Sequence, residues 1–336
     1  MELSTRYLGL SLRSPLIASA SPLSRSLDSM VALADAGVGA IVMHSLFDEQ
    51  LRAEAEAEAL LEEDALDETY GDALSYFPTF RAVSDTVATN YLRLVEQAAT
   101  VLPVPLIASL NGSSLGSWVQ FARRLQDAGA AAIECNAYFV DMDATGAEVE
   151  QRYLNIASAV VDTVSIPVSI KLTPSFSSVG QLASRLIDTG VRGLAFFNRF
   201  VAADMDLDRM VTVPRVTLSN PADAVLPRAY IAGLRNRLPN VSLAGTSGVE
   251  TAADVVKYLL AGADVVMTAS SLVRHGPGHA AELLAGVESW ATSKGFAAVS
   301  DFRGRLALPA NVRSDAYERA GYVTALENAQ AGEYSE

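Results

Sequence analysis

Eight short apolar, β-branched runs alternate with helical patterns along this chain, and that alternation constrains its fold more than any other feature. The runs are Pro15–Ala20, Ala40–His44, Pro105–Leu110, Ala131–Asn136, Pro167–Leu172, Gly193–Asn198, Val241–Ala244 and Ala263–Met267. Runs that are apolar on both faces suit strands of a parallel sheet, which helices cover. Between them, Leu115–Ala128, Ala147–Val164, Val179–Thr189 and Thr251–Leu260 show one apolar stripe each. The steps Ala36-Gly37, Ala128-Gly129, Thr189-Gly190 and Ala261-Gly262 precede strands. Each is predicted to end a helix with a left-handed glycine that turns the chain back into the sheet. Eight strand–helix units favour a closed (β/α)8 barrel of the TIM type over an open sheet. An open dinucleotide-binding sheet would want G-x-G-x-x-G after its first strand, and Pro15–Ser24 lacks it.

With 336 residues, half of them hydrophobic, one barrel domain over 1–336 accounts for the whole sequence. Two pieces fall outside the repeat. Met1–Arg13 reads as a small N-terminal hairpin, expected to close the barrel bottom. A long insertion follows strand 2, over residues 48–85. Its acidic half carries eight acids between Glu54 and Glu68 with no Lys or Arg, and reads as a solvated helix. Its aromatic half offers Tyr76, Phe77 and Phe80 as a lid over the site. The net charge of −14 argues against nucleic acid and anionic membrane surfaces as partners. A lone Cys135 allows neither an internal disulfide nor a cysteine zinc site. No signal-peptide pattern or apolar run of spanning length is present, so the expected location is the cytoplasm.

Catalytic groups in such barrels cluster at strand C-termini. Those ends supply Ser19 and Ser21, then His44 and Ser45, Asn111, Asn136, Lys171, Asn198, Thr246 and Ser247, and finally Ala269 and Ser270. The last two strands run into small-residue turns, Gly245-Thr246-Ser247-Gly248 and Ala269-Ser270-Ser271. Turns with uncovered N–H groups at these two positions are where a phosphate is expected. The three asparagines resemble a hydrogen-bonding cup for a heterocycle. The Lys171 ammonium, at the end of VSIKL, must find an anion or a polarised carbonyl; a salt bridge to a neighbouring acid is the plainer alternative. Glu134 and Asn136 share a face by strand alternation, and Cys135 points the other way, into the core. His275 and His279 are four apart, but Gly276-Pro277-Gly278 breaks the helix that would align them, and no metal site is expected.

These residues resemble the dihydroorotate dehydrogenase family of FMN-dependent barrels. The resemblance covers nearly the whole chain and is strongest in GTSGVETAADVVKYLLAGADVV, RHGP and KGFAAVSDFRGRL. The opening LGLSLRSPLIASAS, the strand IECNAYF and the strand SIKLTP follow it as well. The resemblance implies FMN across the barrel mouth, its phosphate on Ser247, Gly248, Val249, Ala269 and Ser270. It implies Lys171 at the pyrimidine end of the ring, with Asn111, Asn136 and Asn198 on flavin or substrate and Ser19 and Ala20 against the ring. It also implies a small-molecule substrate, and leaves open a homodimer and a separate electron-transfer partner.

The departures bear on the reaction. Where the family has N-x-S-C-P-N, this chain has Asn136-Ala137-Tyr138-Phe139-Val140-Asp141, so Phe139 stands at the position of the catalytic cysteine or serine. The family's lysine after strand 2 is His44. Three readings follow: an FMN oxidoreductase acting on another substrate, dihydropyrimidine-like or enoyl-like; dihydroorotate oxidation in pyrimidine biosynthesis with Tyr138, Asp141 or His44 as a replacement base; or a non-catalytic barrel that binds a phosphorylated ligand or a partner.

Overall fold

The structure is a computed structural model, and it describes residues 1–51, 53, 86–112, 116–137, 139, 141–199, 203–312 and 314–330. The aromatic and most of the acidic part of the insertion, with Tyr76, Phe77 and Phe80, lie outside the described residues, as does Tyr138.

The chain opens with two short antiparallel strands, β1 (Thr5–Tyr7) and β2 (Leu10–Leu12). Eight parallel strands then close a barrel: β3 (Leu16–Ala18), β4 (Ala40–Val42), β6 (Leu106–Asn111), β7 (Ala132–Asn136), β8 (Val168–Leu172), β9 (Gly193–Phe196), β12 (Ser242–Thr246) and β13 (Val265–Thr268). Each pairs with the next, β13 returns to β3, and β4–β6 completes the ring. The two-residue β5 (Leu46–Phe47) extends that edge along the upper end of β6. All eight expected barrel strands are present, with ends shifted by no more than two residues.

Alternation divides each strand's side chains between two environments. Ile17, Ala40, Val42, Ile107, Ala132, Ala195, Ala244, Val265 and Met267 fill the lumen. Tyr7, Leu8 and Leu12 of the hairpin join that cluster and plug the barrel bottom. Leu8 N–H donates to Ser242 Oγ at 2.9 Å and Thr5 Oγ1 to the Asp264 carbonyl at 2.9 Å, which ties the plug to the barrel wall. The opposite faces, including Leu16, Ile41, Ile133, Ile170, Leu243 and Val266, pack against the surrounding helices. Cys135 is on this outer face and fully buried. Burial pushes its thiol pKa well up, so it is a core residue rather than a nucleophile.

The four expected glycines all have left-handed φ, from 96° at Gly190 to 115° at Gly262. Gly262 ends the helix Ala252–Ala261, and its N–H reaches the Leu259 and Tyr258 carbonyls. That helix starts with a capping box between Thr251 and Asp254, and Gly146–Thr163 starts with one between Thr145 and Glu148. Elements outside the sequence expectations include β5, an antiparallel hairpin, β10 (Ala203–Asp206) with β11 (Val211–Pro214), and a C-terminal helix, Ser314–Gln330.

Gly39 tests how tightly the chain entering β4 meets the chain entering β3. A Cβ there would collide with the Ser14 carbonyl oxygen, and main chain cannot yield as a flexible side chain can. Gly39→Ala is expected to lower stability by about 1–3 kcal/mol, the usual cost of overpacking, as measured by urea denaturation. A variant as stable as the parent would contradict this close approach.

Candidate active site

Strand ends at the barrel mouth bring residues far apart in sequence into one cleft of about 240 Å³. Its lining includes Ser19, Ala20, Lys171, Asn198, Ser247, Val249, Ala269 and Ser270, all expected at the site from the sequence. It also includes Phe197, Arg199, Thr217 and Ser219, which sequence reasoning missed. The segment 216–219 enters the cleft just after the unforeseen β10–β11 hairpin, and no motif marks it.

Lys171 and Glu134 point into the upper lumen from adjacent strands. Lys171 Nζ donates to Ser19 Oγ at 3.2 Å and to Glu134 Oε1 at 3.4 Å. Lys171 is 7 % exposed and Glu134 is fully buried. Of the two fates foreseen for the lysine, the buried salt bridge is the one present, and the side chain also lines the cleft. A carboxylate on one side leaves donor capacity on the ammonium for a polar group on the other.

The turn after β12 has two consecutive left-handed residues, Ser247 (φ 79°) and Gly248 (φ 66°). Tyr258 Oη lies 2.8 Å from both the Thr246 and Ser247 carbonyl oxygens. In trans peptides, the N–H groups of Ser247 and Gly248 then point away from Tyr258. Successive N–H groups on one side of a left-handed turn form a concavity suited to an anion. The glycine has a structural duty of its own. A Cβ on Gly248 would come within 2.6 Å of the Asn220 carbonyl oxygen and the Ala224 nitrogen. Its first role is thus to let segment 220–224 close against the turn. The Ser270 hydroxyl accepts from Ser219 N–H at 2.9 Å and lies 2.9 Å from Ser219 Oγ, so the second turn is braced by the missed segment.

The three asparagines come together. Asn111 and Asn136 are paired in register across β6 and β7, and Asn198 Nδ2 donates to Asn136 Oδ1 at 3.1 Å. Asn198 lines the cleft, whereas Asn111, Asn136 and Ser45 do not; Ser45 bonds Ser109 through their hydroxyls at 2.9 Å.

The alternative bases have different surroundings. His44 Nδ1 faces the Ser24 carbonyl at 3.1 Å, which can only accept, so Nδ1 carries hydrogen. Its ring meets Tyr91 edge-on at 4.9 Å. Burial lowers its pKa below the ordinary value, and the Ser24 contact offsets part of that. The imidazole is therefore neutral at pH 7. Asp141 is committed elsewhere: it accepts from the N–H groups of Ala144 and Asp143, at 2.9 Å and 3.1 Å, and from Arg152 at 3.0 Å. The backbone donors, with Arg152, hold its carboxyl below the usual range, which makes it a poor base. Phe139 packs outside the cleft against Tyr153, with centroids 5.1 Å apart, under the Arg152 guanidinium at 4.5 Å. His275 pairs with Glu250 at 2.6 Å and His279 with Glu282 at 2.7 Å. Among the described residues, no group of three or more His, Cys, Asp or Glu is arranged to hold a metal ion.

Comparison with known proteins agrees with this architecture. The family model for dihydroorotate dehydrogenase matches residues 82–290. A protein from Aeropyrum pernix, named as a dihydroorotate dehydrogenase A (fumarate), is 31 % identical over 234 residues, covering 68 % of this chain and 73 % of that protein. The NAD-dependent dihydropyrimidine dehydrogenase subunit PreA of Escherichia coli K12 is 23 % identical over 320 residues, covering 90 % and 76 %. The catalytic subunit of dihydroorotate dehydrogenase B (NAD(+)) from Methanothermobacter thermautotrophicus is 27 % identical over 222 residues, covering 63 % and 71 %. The family match spans more than half of the chain, takes in six of its eight barrel strands and reaches past both small-residue turns: the chain belongs to the dihydroorotate dehydrogenase family.

Proposed function

We propose that this protein is an FMN-dependent oxidoreductase that transfers hydride between flavin and a small substrate other than dihydroorotate, dihydropyrimidine-like or enoyl-like. The observation that carries this reading is the meeting, in one cleft, of Ser247, from the left-handed Ser247-Gly248 turn, with the buried Lys171 ammonium. The donors suit FMN in kind. Backbone N–H groups at Ser247 and Gly248, with the hydroxyls of Ser219 and Ser270, would hold the phosphate. Lys171 and the asparagines would hold the polar edge of the ring system.

When bound, FMN would supply the hydride-accepting centre. The chain's own contribution is to orient and to polarise. Lys171 is a fixed cation in a dry site, where it favours negative charge that develops beside it. Ser19 and Glu134 hold its ammonium in place. Asn136 and Asn198, bonded to each other, present a preorganised polar wall.

Dihydroorotate oxidation is the second reading, and His44 is what favours it. Its Nδ1 proton is fixed on Ser24 and its imidazole is neutral, so Nε2 could accept a proton. Two relatives are named as subunits of larger enzymes, which supports a separate electron-accepting partner for this chain too. Among the described residues, no helix is long and apolar enough to cross a membrane.

Equilibrium titration of the flavin-free protein tests the phosphate site. FMN should bind at least roughly tenfold more tightly than riboflavin, since even one charge-assisted hydrogen bond to phosphate contributes about 1.5–3 kcal/mol. Equal affinities would contradict a phosphate cradle at Ser247 and Ser270.

A further inference from the structure

Beneath Lys171 the barrel lumen contains two fully buried polar atoms that make no hydrogen bond to any described residue: Tyr7 Oη, rising from the hairpin plug, and Glu134 Oε2, the carboxylate oxygen not used by Lys171. They belong to one locality: Tyr7 packs in the lumen cluster with Ala132, which shares the inward face of β7 with Glu134 two residues on. Glu134 is paired in register with Ser169 across β7 and β8, and both side chains face the lumen. Burial, with the nearby Glu134 carboxylate, pushes the Tyr7 phenol pKa well up, and the Ser169 hydroxyl stands close enough to offset part of the rise while outside hydrogen-bonding geometry. Ser169 is itself fully buried, and its hydroxyl donates a long hydrogen bond, 3.4 Å, to the Ile133 carbonyl.

Burying a phenol and a carboxylate oxygen without partners costs free energy that native interiors rarely tolerate. The charge balance restricts what can satisfy them. Glu134 and Lys171 already neutralise each other, so a cation or an anion between Tyr7 and Glu134 would be an uncompensated charge in the lumen. A neutral molecule that both donates and accepts is required, and three polar partners are the usual complement of one buried water.

We propose that the lumen binds a single internal water shared by Tyr7 Oη, Glu134 Oε2 and Ser169 Oγ. That water completes the shell of the carboxylate that positions Lys171, and so joins the plug at the barrel bottom to the cleft at its mouth. The significance for Lys171 rests on the flavin reading above, but the water site does not.

Two measurements test the site without flavin. A crystal structure that resolves ordered solvent should show one water within hydrogen-bonding distance of both Tyr7 Oη and Glu134 Oε2, and Tyr7→Phe should lose it. No density there, or a direct Tyr7–Glu134 hydrogen bond, overturns the proposal. Thermal unfolding of Tyr7→Phe, Glu134→Gln and the double variant supplies the second. A shared water makes Tyr7→Phe melt lower than the parent and makes the two changes non-additive. A phenol that truly lacks a partner would instead let Tyr7→Phe melt at the same or a higher temperature, which overturns the proposal, as does strict additivity. Should Glu134→Gln fail to fold, the Tyr7→Phe melting temperature and density decide alone. A protein that bound this water and no FMN would contradict the proposed function while leaving the water site intact.

Discussion

Glu134→Ala is expected to lose about 3–5 kcal/mol of stability, the usual cost of removing one member of a buried ion pair. The variant leaves the Lys171 ammonium buried with, among the described residues, only Ser19 within hydrogen-bonding distance. The loss comes from the charge left alone rather than from the attraction removed. Replacing both residues at once, Glu134→Leu with Lys171→Met, should therefore recover much of the stability, since apolar groups of similar volume often substitute for a buried pair at little cost. Chemical denaturation of the three proteins measures both effects. If Glu134→Ala were no less stable than the parent, or the double variant were as unstable as Glu134→Ala, the pair would not be the closed unit described here.

Dihydroorotate should be a very poor substrate. Its oxidation requires a proton to leave carbon while hydride leaves for the flavin. The position that resembles the family's catalytic cysteine or serine is Phe139, which packs against Tyr153 beneath Arg152 and cannot accept a proton. Loss of a general base costs ~10²–10⁴-fold. Steady-state turnover with dihydroorotate and a dye or fumarate acceptor should lie correspondingly far below the ~10 per second of an ordinary enzyme. Turnover of that ordinary order would contradict the assignment and direct attention to His44 and Tyr138. Asp141 is the weaker alternative because its oxygens are committed to Arg152 and two backbone N–H groups.

The barrel is legible in the sequence because its strands are buried on both faces. That burial produces continuous runs such as AIV and LIA, and the glycines that end the helices punctuate them. Lys171 is legible because a lysine at the end of an apolar strand has few places to go. Its partner could have been named too: Glu134 shares its face with Asn136, and that face is the lumen. The β10–β11 hairpin escaped because it buries little; Met205, Leu207 and Met210 are exposed, and the strands ADMD and VTVP alternate over only four residues each, too few to stand out as a pattern. With it went Ser219, which braces Ser270 yet lies in a stretch with no motif of its own. The structural duty of Gly248 is not legible: its missing side chain makes room for Asn220 and Ala224, a contact between segments distant in sequence.

The most direct test of the account is the visible absorption spectrum of the purified, FMN-reconstituted protein, with the cofactor released by denaturation and quantified. The expected result is a flavin spectrum and one FMN per chain, held without a covalent bond. A colourless protein that retains no added FMN would contradict the central claim and favour the reading of a non-catalytic barrel.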